Sequence, residues 1–242
     1  QGRNHAARAV RGMPRDLTAQ LTYAETLEAL DSPMGAADHL LIARDIDAKA
    51  VPKERLTKLL PRAIVAAEEV DKPGRAEAYI LALREVAPNA KEASDDTLLR
   101  ARENIGRKLT RQGRYKEAAA HYARLVELYP DNDDHLLQHG TLLLLIEEDD
   151  AADEAFKAYL AAGDDTATRL DTIATNARVR GRDDAAERYW IQAIEADPAN
   201  PNLPLKLAGL LFERQAHDEA YARLKAAITA GKGTAAIYLQ AA

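Results

Sequence analysis

The chain lacks several residues on which common kinds of functional site depend. Its 242 residues include no cysteine, one tryptophan, two phenylalanines and two methionines. Without cysteine there are no disulfide bonds, thiolate metal ligands or thiol nucleophiles. The two serines, Ser32 and Ser94, lie in turn-like sequence beside aspartate, which argues against a serine nucleophile. No stretch approaches the roughly 18 consecutive apolar residues of a membrane-spanning helix.

Three short motifs resemble ligand sites, but each is incomplete. His135 and His139 have the i, i+4 spacing of a zinc pair, yet no third ligand is evident. Asp131–Asp134 begins like a calcium loop, but Leu136 stands where glycine is required and no closing glutamate follows. Gly231–Thr234 lacks the upstream glycine and the Lys–Thr adjacency of a phosphate-binding loop. We therefore expect no catalytic activity, no metal and no cofactor.

Charge and composition limit the partners and favour a helical fold. A net charge of −6 and a pI near 5.6 disfavour nucleic acid, because phosphate binding needs clustered cations. With 47% hydrophobic and 30% charged residues, the chain lies outside the range of disordered sequences. Alanine, leucine, glutamate, arginine and lysine are abundant, and all are good helix formers.

What the chain does contain is a repeat of 34 residues. Its clearest column is an alanine in each repeat: Ala118, Ala152, Ala186 and Ala220. A bulky apolar residue follows each alanine by four positions: Tyr122, Phe156, Trp190 and Leu224. A glycine or alanine precedes each by twelve positions: Gly106, Gly140, Ala174 and Ala208. Because small and bulky side chains recur in one register, the pattern predicts pairs of amphipathic helices that pack against each other.

Six repeats can be placed in this register. The last four follow one another without a gap: 99–132, 133–166, 167–200 and 201–234. Two earlier repeats, 17–50 and 57–90, are followed by spacers at 51–56 and 91–98. Residues 1–16 are interpreted as the tail of a preceding repeat, and 235–242 as the start of a further one. We therefore predict that 1–242 is a single solenoid domain taken from a longer array.

Glycine, aspartate and proline mark the predicted helix ends. Gly113 and Gly181 fit the C-caps of first helices, and the aspartates that follow, such as Asp183, fit the N-caps of second helices. Prolines such as Pro198 end the second helices, because proline cannot continue the hydrogen-bond ladder. Pro61 is expected in the first turn of its helix, where its missing N–H has no cost.

These columns resemble the tetratricopeptide repeat (TPR), a helix–turn–helix unit of about 34 residues. The resemblance is strong over 99–234 and weaker over 17–90. Arg102 and Pro204 depart from it, since they replace the bulky residue of position 4, and His139 replaces an apolar residue at position 7. The resemblance implies an all-α fold, a right-handed superhelical solenoid whose first helices line a concave groove.

In this family the groove is lined by positions 2, 5, 6, 9, 12 and 13 of each repeat, and here they form three zones. The N-terminal zone is acidic: Glu25, Glu28, Glu68 and Glu69. The middle zone is basic, with one amide: Arg62, Arg100, Asn104, Arg107 and Arg111. The C-terminal zone is apolar apart from one hydroxyl: Leu137, Thr141, Leu144, Leu145, Leu205 and Phe212. The resemblance implies that a protein partner binds to these residues.

Two questions about these zones stay open at the level of sequence. The basic zone either binds a partner or is a solvated helix face. Leu144 and Leu145 lie in a stretch that is apolar all round, which a half-exposed helix does not need. They are either covered by a neighbouring helix or exposed as an apolar patch that binds a partner.

The resemblance also indicates which kinds of TPR protein this chain is similar to. Chaperone-binding members hold a C-terminal carboxylate with lysine at position 5, and no repeat here has lysine there. Long, cysteine-free arrays rich in alanine and arginine resemble the periplasmic TPR regions of Pel-type exopolysaccharide exporters, which recruit polysaccharide-modifying enzymes. We therefore expect a non-catalytic scaffold of biofilm secretion in the periplasm, with a polysaccharide deacetylase or hydrolase as partner. The alternatives are a regulatory domain of a larger intracellular enzyme and a cytoplasmic assembly or quality-control adaptor.

Overall fold

In a computed structural model that describes residues 2–229, the chain is all-α, and these residues contain no strand. The chain divides into two compact units, Gln1–Lys108 and Leu109–Ala242. The boundary falls within the sixth helix. The Gly231–Thr234 segment, where no phosphate-binding loop is expected, and the predicted start of a further repeat at 235–242 lie outside the described residues.

The first unit contains five complete helices and most of a sixth. They are α1 Gly2–Gly12, α2 Leu17–Ala29, α3 Pro33–Ile46, α4 Lys53–Glu69, α5 Pro73–Val86 and α6 Asp95–Arg111, with a single 3₁₀ turn at Lys91–Ala93. Helix α1 packs on α2, α2 on α3, α3 on α4 and α4 on α5. The contacts α2–α3 and α4–α5 join the two helices of the predicted repeats 17–50 and 57–90.

The second unit contains seven further helices among the described residues. They are α7 Tyr115–Leu128, α8 Asp133–Leu145, α9 Asp149–Ala161, α10 Thr166–Val179, α11 Asp183–Ala196, α12 Asn202–Glu213 and α13 His217–Thr229. Helix α8 packs against α7 and α9, α10 against α11, and α12 against α11 and α13. Each unit is therefore a stack of helix–turn–helix pairs, and the predicted all-α fold of TPR-type pairs is confirmed.

The residues in the repeat columns form the cores of both units. Every column alanine is fully buried: Ala36, Ala76, Ala118, Ala152, Ala186 and Ala220. The large residue four positions later is also buried in each repeat: Leu40, Ile80, Tyr122, Phe156, Trp190 and Leu224. Trp190 has 2% of its surface exposed, and its Nε1–H donates to Oδ1 of Asp171 at 2.8 Å. The periodicity therefore identifies the buried face of each second helix.

The turn inside each described helix pair ends the first helix with a residue at positive φ. These residues are Asp31, Asp71, Gly113, Glu147, Gly181 and Gln215. At Gly113 the φ angle is 70°, and its N–H donates to the carbonyl of Thr110 at 3.0 Å. The N–H of Arg114 donates to the carbonyl of Leu109 at 3.0 Å, which completes a Schellman cap. The C-caps predicted at Gly113 and Gly181 are confirmed.

The predicted N-caps of the second helices are wrong. Asp183 is the first residue of α11, and the N-cap is Arg182, whose side chain makes no capping bond. The Schellman cap places the N-cap directly after the positive-φ residue, so the aspartate falls in the first turn. There its carboxylate stabilises the positive end of the helix dipole. Side-chain caps occur instead on first helices, at Asp16, Asn132 and Asp165.

Two first helices begin earlier than the spacers predict. Helices α4 and α6 each have 17 residues and include parts of 51–56 and 91–98. The predicted place of Pro61 in a first turn is therefore wrong, because this proline lies inside α4. The start of α6 could have been predicted from Ser94, a residue type that often caps helices. The Ser94 hydroxyl accepts a hydrogen bond from the N–H of Thr97 at 3.3 Å.

Consecutive second helices are joined by the same polar contact in both units. The Tyr79 hydroxyl on α5 donates to Oδ1 of Asp38 on α3 at 2.6 Å. The Tyr189 hydroxyl on α11 donates in the same way to Asp153 on α9. Burial, and then the hydrogen bond to the carboxylate, raise the pKa of both tyrosines. Each tyrosine therefore remains a neutral donor that links neighbouring repeats.

Candidate functional site

A groove of about 540 Å³ lies over α4 in the first unit. One face of α4 forms its floor with residues at helical spacing: Pro61, Arg62, Val65, Ala66 and Glu69. The turn between α2 and α3 contributes Asp31 and Pro33, and the 3₁₀ turn contributes Glu92. Four of the five floor residues occupy positions 5, 6, 9 and 13 of the repeat, which are groove positions in the TPR resemblance.

Val65 and Pro61 give the floor its shape. Val65 is 50% exposed although it is apolar, and it lies midway along the floor. Pro61 has no backbone N–H, so it donates no helical hydrogen bond to the carbonyl of Thr57 one turn earlier. The floor therefore carries an uncovered aliphatic side chain, that of Val65. It also has a backbone carbonyl, that of Thr57, which accepts no hydrogen bond from residue 61.

The charges around the groove are mainly negative. Asp31, Glu69 and Glu92 contribute three carboxylates, and Arg62 contributes the one cation among the lining residues. Arg62 Nη2 lies 2.5 Å from Oδ1 of Asp31, with 59% and 83% of the two side chains exposed. A pair so exposed contributes little to stability. Among the described residues, Glu69 and Glu92 form no ion pair, so their carboxylates are available to a partner.

The other members of the predicted basic zone lie along α6 and contact neighbouring polar groups. Arg100 Nη2 lies 3.5 Å from Oε1 of Glu68. Arg107 Nη2 donates to Oδ1 of Asn104 at 2.8 Å, and Arg107 Nη1 lies 3.7 Å from Oε2 of Glu103. Arg111, at the end of the helix, is exposed. The arginines of this zone therefore lie beside acidic side chains. Binding of a protein partner to the zone stays a prediction.

Half of the predicted apolar zone is buried. Leu137, Thr141 and Leu144 have 9%, 1% and 1% of their surface exposed. The Thr141 hydroxyl donates to the carbonyl of Leu137 at 2.7 Å, so it is already satisfied. The hypothesis of an exposed patch at Leu144 is wrong, because α8 packs against α7, α9 and α10 and is covered on several sides. The other three members, Leu145, Leu205 and Phe212, are partly buried against the same core.

The two histidines of the incomplete zinc motif are buried or half-buried in the helix packing. The His135 side chain is buried, and the backbone N–H of His135 donates to Oδ1 of Asn132, the cap of α8, at 3.0 Å. His139 is half-buried, and burial lowers the pKa of its imidazole. Among residues 2–229, no cluster of three or more histidine or acidic side chains could hold a metal ion. Over the same range, no helix is both long enough and apolar enough to cross a membrane.

Sequence reasoning found only part of the groove over α4. Arg62 and Glu69 were identified as groove residues, and Val65 occupies a groove position that the zones left out. Its position 9 in the repeat was the signal that could have identified it. Glu92 could not have been found in this way, since it belongs to a spacer with no place in the repeat.

Comparisons with known proteins give structural similarity alone. No protein-family profile matches the chain, and no curated protein matches it. The chain is similar to the MamA 41-end fragment from Desulfovibrio magneticus RS-1, with 16% identity and a TM-score of 0.42 over 72% of this chain and 94% of that one. It is also similar to YrrB, a TPR protein with an unusual peptide-binding site, with 15% identity and a TM-score of 0.38 over 87% and 97% of the two chains.

A third similar structure is a tetratricopeptide repeat protein from Parabacteroides merdae, with 18% identity and a TM-score of 0.41 over 92% of this chain and 82% of that one. Similarities at this level carry no functional argument. The function of the chain is therefore inferred from the groove over α4.

Proposed function

We propose that the chain is a non-catalytic protein-binding scaffold and that the groove over α4 receives an extended segment of the partner. The observation that carries this proposal is the half-exposed Val65 on the floor of a groove of about 540 Å³. Helical repeat proteins use the surfaces made by successive repeats to bind partners. A partner segment that enters the groove would remove the exposed half of the Val65 side chain from water, which favours binding.

The charges of the groove favour a basic partner segment. Glu69 and Glu92 flank the apolar floor, and the single cation, Arg62, is already beside Asp31. A partner with an apolar side chain over Val65 could place a lysine or arginine near Glu69 or Glu92. Pairs between exposed charges contribute at most about 1 kcal/mol each, so the apolar contact supplies affinity while the carboxylates set orientation.

The test uses the full chain as bait in a lysate of its native organism. Val65→Asp places a charge on the apolar floor, and Glu69→Lys reverses the charge at one end of it. Leu81→Asp is the matched control, because Leu81 lies on α5 outside the groove and is 40% exposed. Circular dichroism melting of all three variants checks that each is folded.

We expect the wild-type chain and Leu81→Asp to capture the same partner, and both groove variants to lose it. A partner retained by Val65→Asp would contradict binding at this groove. A partner lost equally from Leu81→Asp would place the interface elsewhere.

The scaffold is further proposed to be the periplasmic part of an exopolysaccharide export protein that recruits a polysaccharide-modifying enzyme. The support is sequence form alone: a cysteine-free array rich in alanine and arginine, with spacers at 51–56 and 91–98. The test is binding of the purified chain to deacetylases and hydrolases encoded beside its gene, together with cell fractionation. Cytoplasmic recovery with capture of a cytoplasmic enzyme would favour the regulatory-domain alternative.

A further inference from the structure

Position 4 of the repeat is filled by a large side chain in most repeats. Leu60, Leu136 and Leu170 occupy it in three of them, with 0%, 4% and 4% of their surface exposed. Arg102 occupies it in a fourth, where its Nε donates to Oε1 of Glu77 on the preceding second helix at 2.8 Å. Pro204 is the departure, since its ring folds back on its own backbone and reaches less far than leucine.

A cavity of about 220 Å³ lies beside Pro204 in the second unit. Its apolar wall is formed by residues of α11, α12, α13 and the turn after α11: Ile191, Ile194, Pro198, Pro204, Ala226 and Ala227. On the α12 side the short ring of Pro204 leaves space, and on the α13 side Ala226 and Ala227 are the smallest side chains available. The cavity therefore results from small residues on two of the helices that face it.

The mouth of the cavity carries a few polar groups. Among the described residues, the polar members of the lining are Glu195, Asn200 and Arg223. Arg223 is held by Glu219 one turn earlier on α13, with 3.3 Å between Nη2 and Oε1. Glu195 forms no ion pair among the described residues, so its carboxylate can accept a hydrogen bond from a ligand.

We propose that this cavity is a binding site for a small, uncharged, largely apolar molecule of one or two rings that carries an N–H or O–H group. An apolar cavity of about 150 Å³ in another protein takes up benzene. The recess here is larger in volume and is open to solvent at Glu195, Pro198 and Ala226. A fused bicyclic ring would therefore fit with one edge exposed, and its N–H or O–H group would donate to Glu195. A ligand with a charge on the part that contacts the apolar wall is disfavoured, because that wall offers no partner for the charge. This site lies in the second unit and does not depend on the groove over α4.

The experiment titrates the full chain with fluoroindole and follows the ligand by fluorine NMR. Pro204→Leu puts into position 4 the residue that three other repeats carry there. Pro204 lies in the first turn of α12, where the backbone N–H that leucine adds needs no partner within the helix. Ala226→Leu fills the same cavity from α13 and serves if Pro204→Leu folds poorly. Ala222→Leu is the matched control, because Ala222 is exposed on α13 one turn earlier and does not line the cavity.

We expect saturable broadening of the ligand signal with the wild-type chain and with Ala222→Leu, and a loss of binding of at least tenfold with each cavity-filling variant. The melting temperature of the wild-type chain should rise by a few degrees with ligand, while that of Pro204→Leu should not respond. No saturable binding to the wild-type chain, or equal binding to Ala226→Leu, would overturn the proposal.

Discussion

The ring of Phe156 on α9 occupies the space that a side chain at Gly140 on α8 would need. A Cβ added at residue 140 would lie 2.5 Å from Cε1 and 2.7 Å from Cδ1 of that ring. Phe156 has 1% of its surface exposed, so the surrounding core leaves the ring little room to move. The close approach of α8 and α9 therefore depends on the missing side chain in one column of the repeat and the large ring in another.

Gly140→Ala should lower the free energy of unfolding by about 1–3 kcal/mol, because the added methyl group overpacks the contact with Phe156. Urea denaturation followed by circular dichroism measures the change. Gly209→Ala is the matched control, since an added Cβ there meets no atom within 4 Å inside α12. The control should gain about 0.5–1 kcal/mol through improved helix propensity. A stabilising Gly140→Ala would refute the packing.

Replacing Gln215 by glycine should stabilise the second unit. Gln215 has a φ of 60° at the end of α12, in the left-handed region where glycine is favoured. We expect Gln215→Gly to raise the free energy of unfolding by about 0.5–1 kcal/mol after the greater entropy of the unfolded glycine is included. Gly181→Ala, at a φ of 75°, should lose a similar amount. Thermal melting that ranks these two variants in the opposite order would contradict the cap assignment.

Leu144→Asp should unfold much of the second unit. Leu144 has 1% of its surface exposed, and an aspartate there would be a buried carboxylate without a partner. The expected loss is at least about 3 kcal/mol in the free energy of unfolding. Val179→Asp is the control, because Val179 on α10 is 78% exposed and its substitution should change the value by less than about 0.5 kcal/mol. Equal melting temperatures for Leu144→Asp and the wild-type chain would show that Leu144 faces solvent.

The stability of the chain should fall as the pH drops below about 6.5, partly because of His139. Burial lowers the pKa of His139 in the folded chain below its ordinary value of 6.5. Between those two pKa values the unfolded chain binds more protons than the folded chain, so stability increases with pH over that window. Above about pH 6.5 the contribution is complete.

His139→Leu supplies the apolar residue that position 7 usually has and should reduce this pH dependence. Urea denaturation of both proteins between about pH 5 and 7.5 measures the difference. An NMR titration that placed the His139 pKa above 6.5 would show that the sign of the effect is reversed.

The periodicity located the core because it depends on contacts between residues of fixed spacing. Ala152 and Phe156 face the same side of α9 whatever surrounds them, since helical geometry places residues four apart together. The same local reasoning found the glycine caps at Gly113 and Gly181, where only the backbone conformation of one turn matters. It missed the earlier start of α4 and so misplaced Pro61, because the spacers carry no repeat pattern.

Groove residues were harder to find, because exposure depends on which other helices cover a face. Leu144 and Val65 both occupy predicted groove positions, yet one is buried and the other is half-exposed. Helix α8 is flanked by α7, α9 and α10, which cover Leu144, whereas the face of α4 that carries Val65 opens into the groove. No property of the two residues themselves distinguishes them.

The sequence by itself determined the all-α class, the pairing of helices within repeats and the identity of the buried columns. These follow from hydrophobic periodicity, which is a property of the chain read along its length. Only the tertiary structure decided where the groove over α4 opens, that Leu144 is buried and that Pro204 leaves a cavity. Those features depend on how much of each face the neighbouring helices cover, and surface coverage is set by packing between elements distant in sequence.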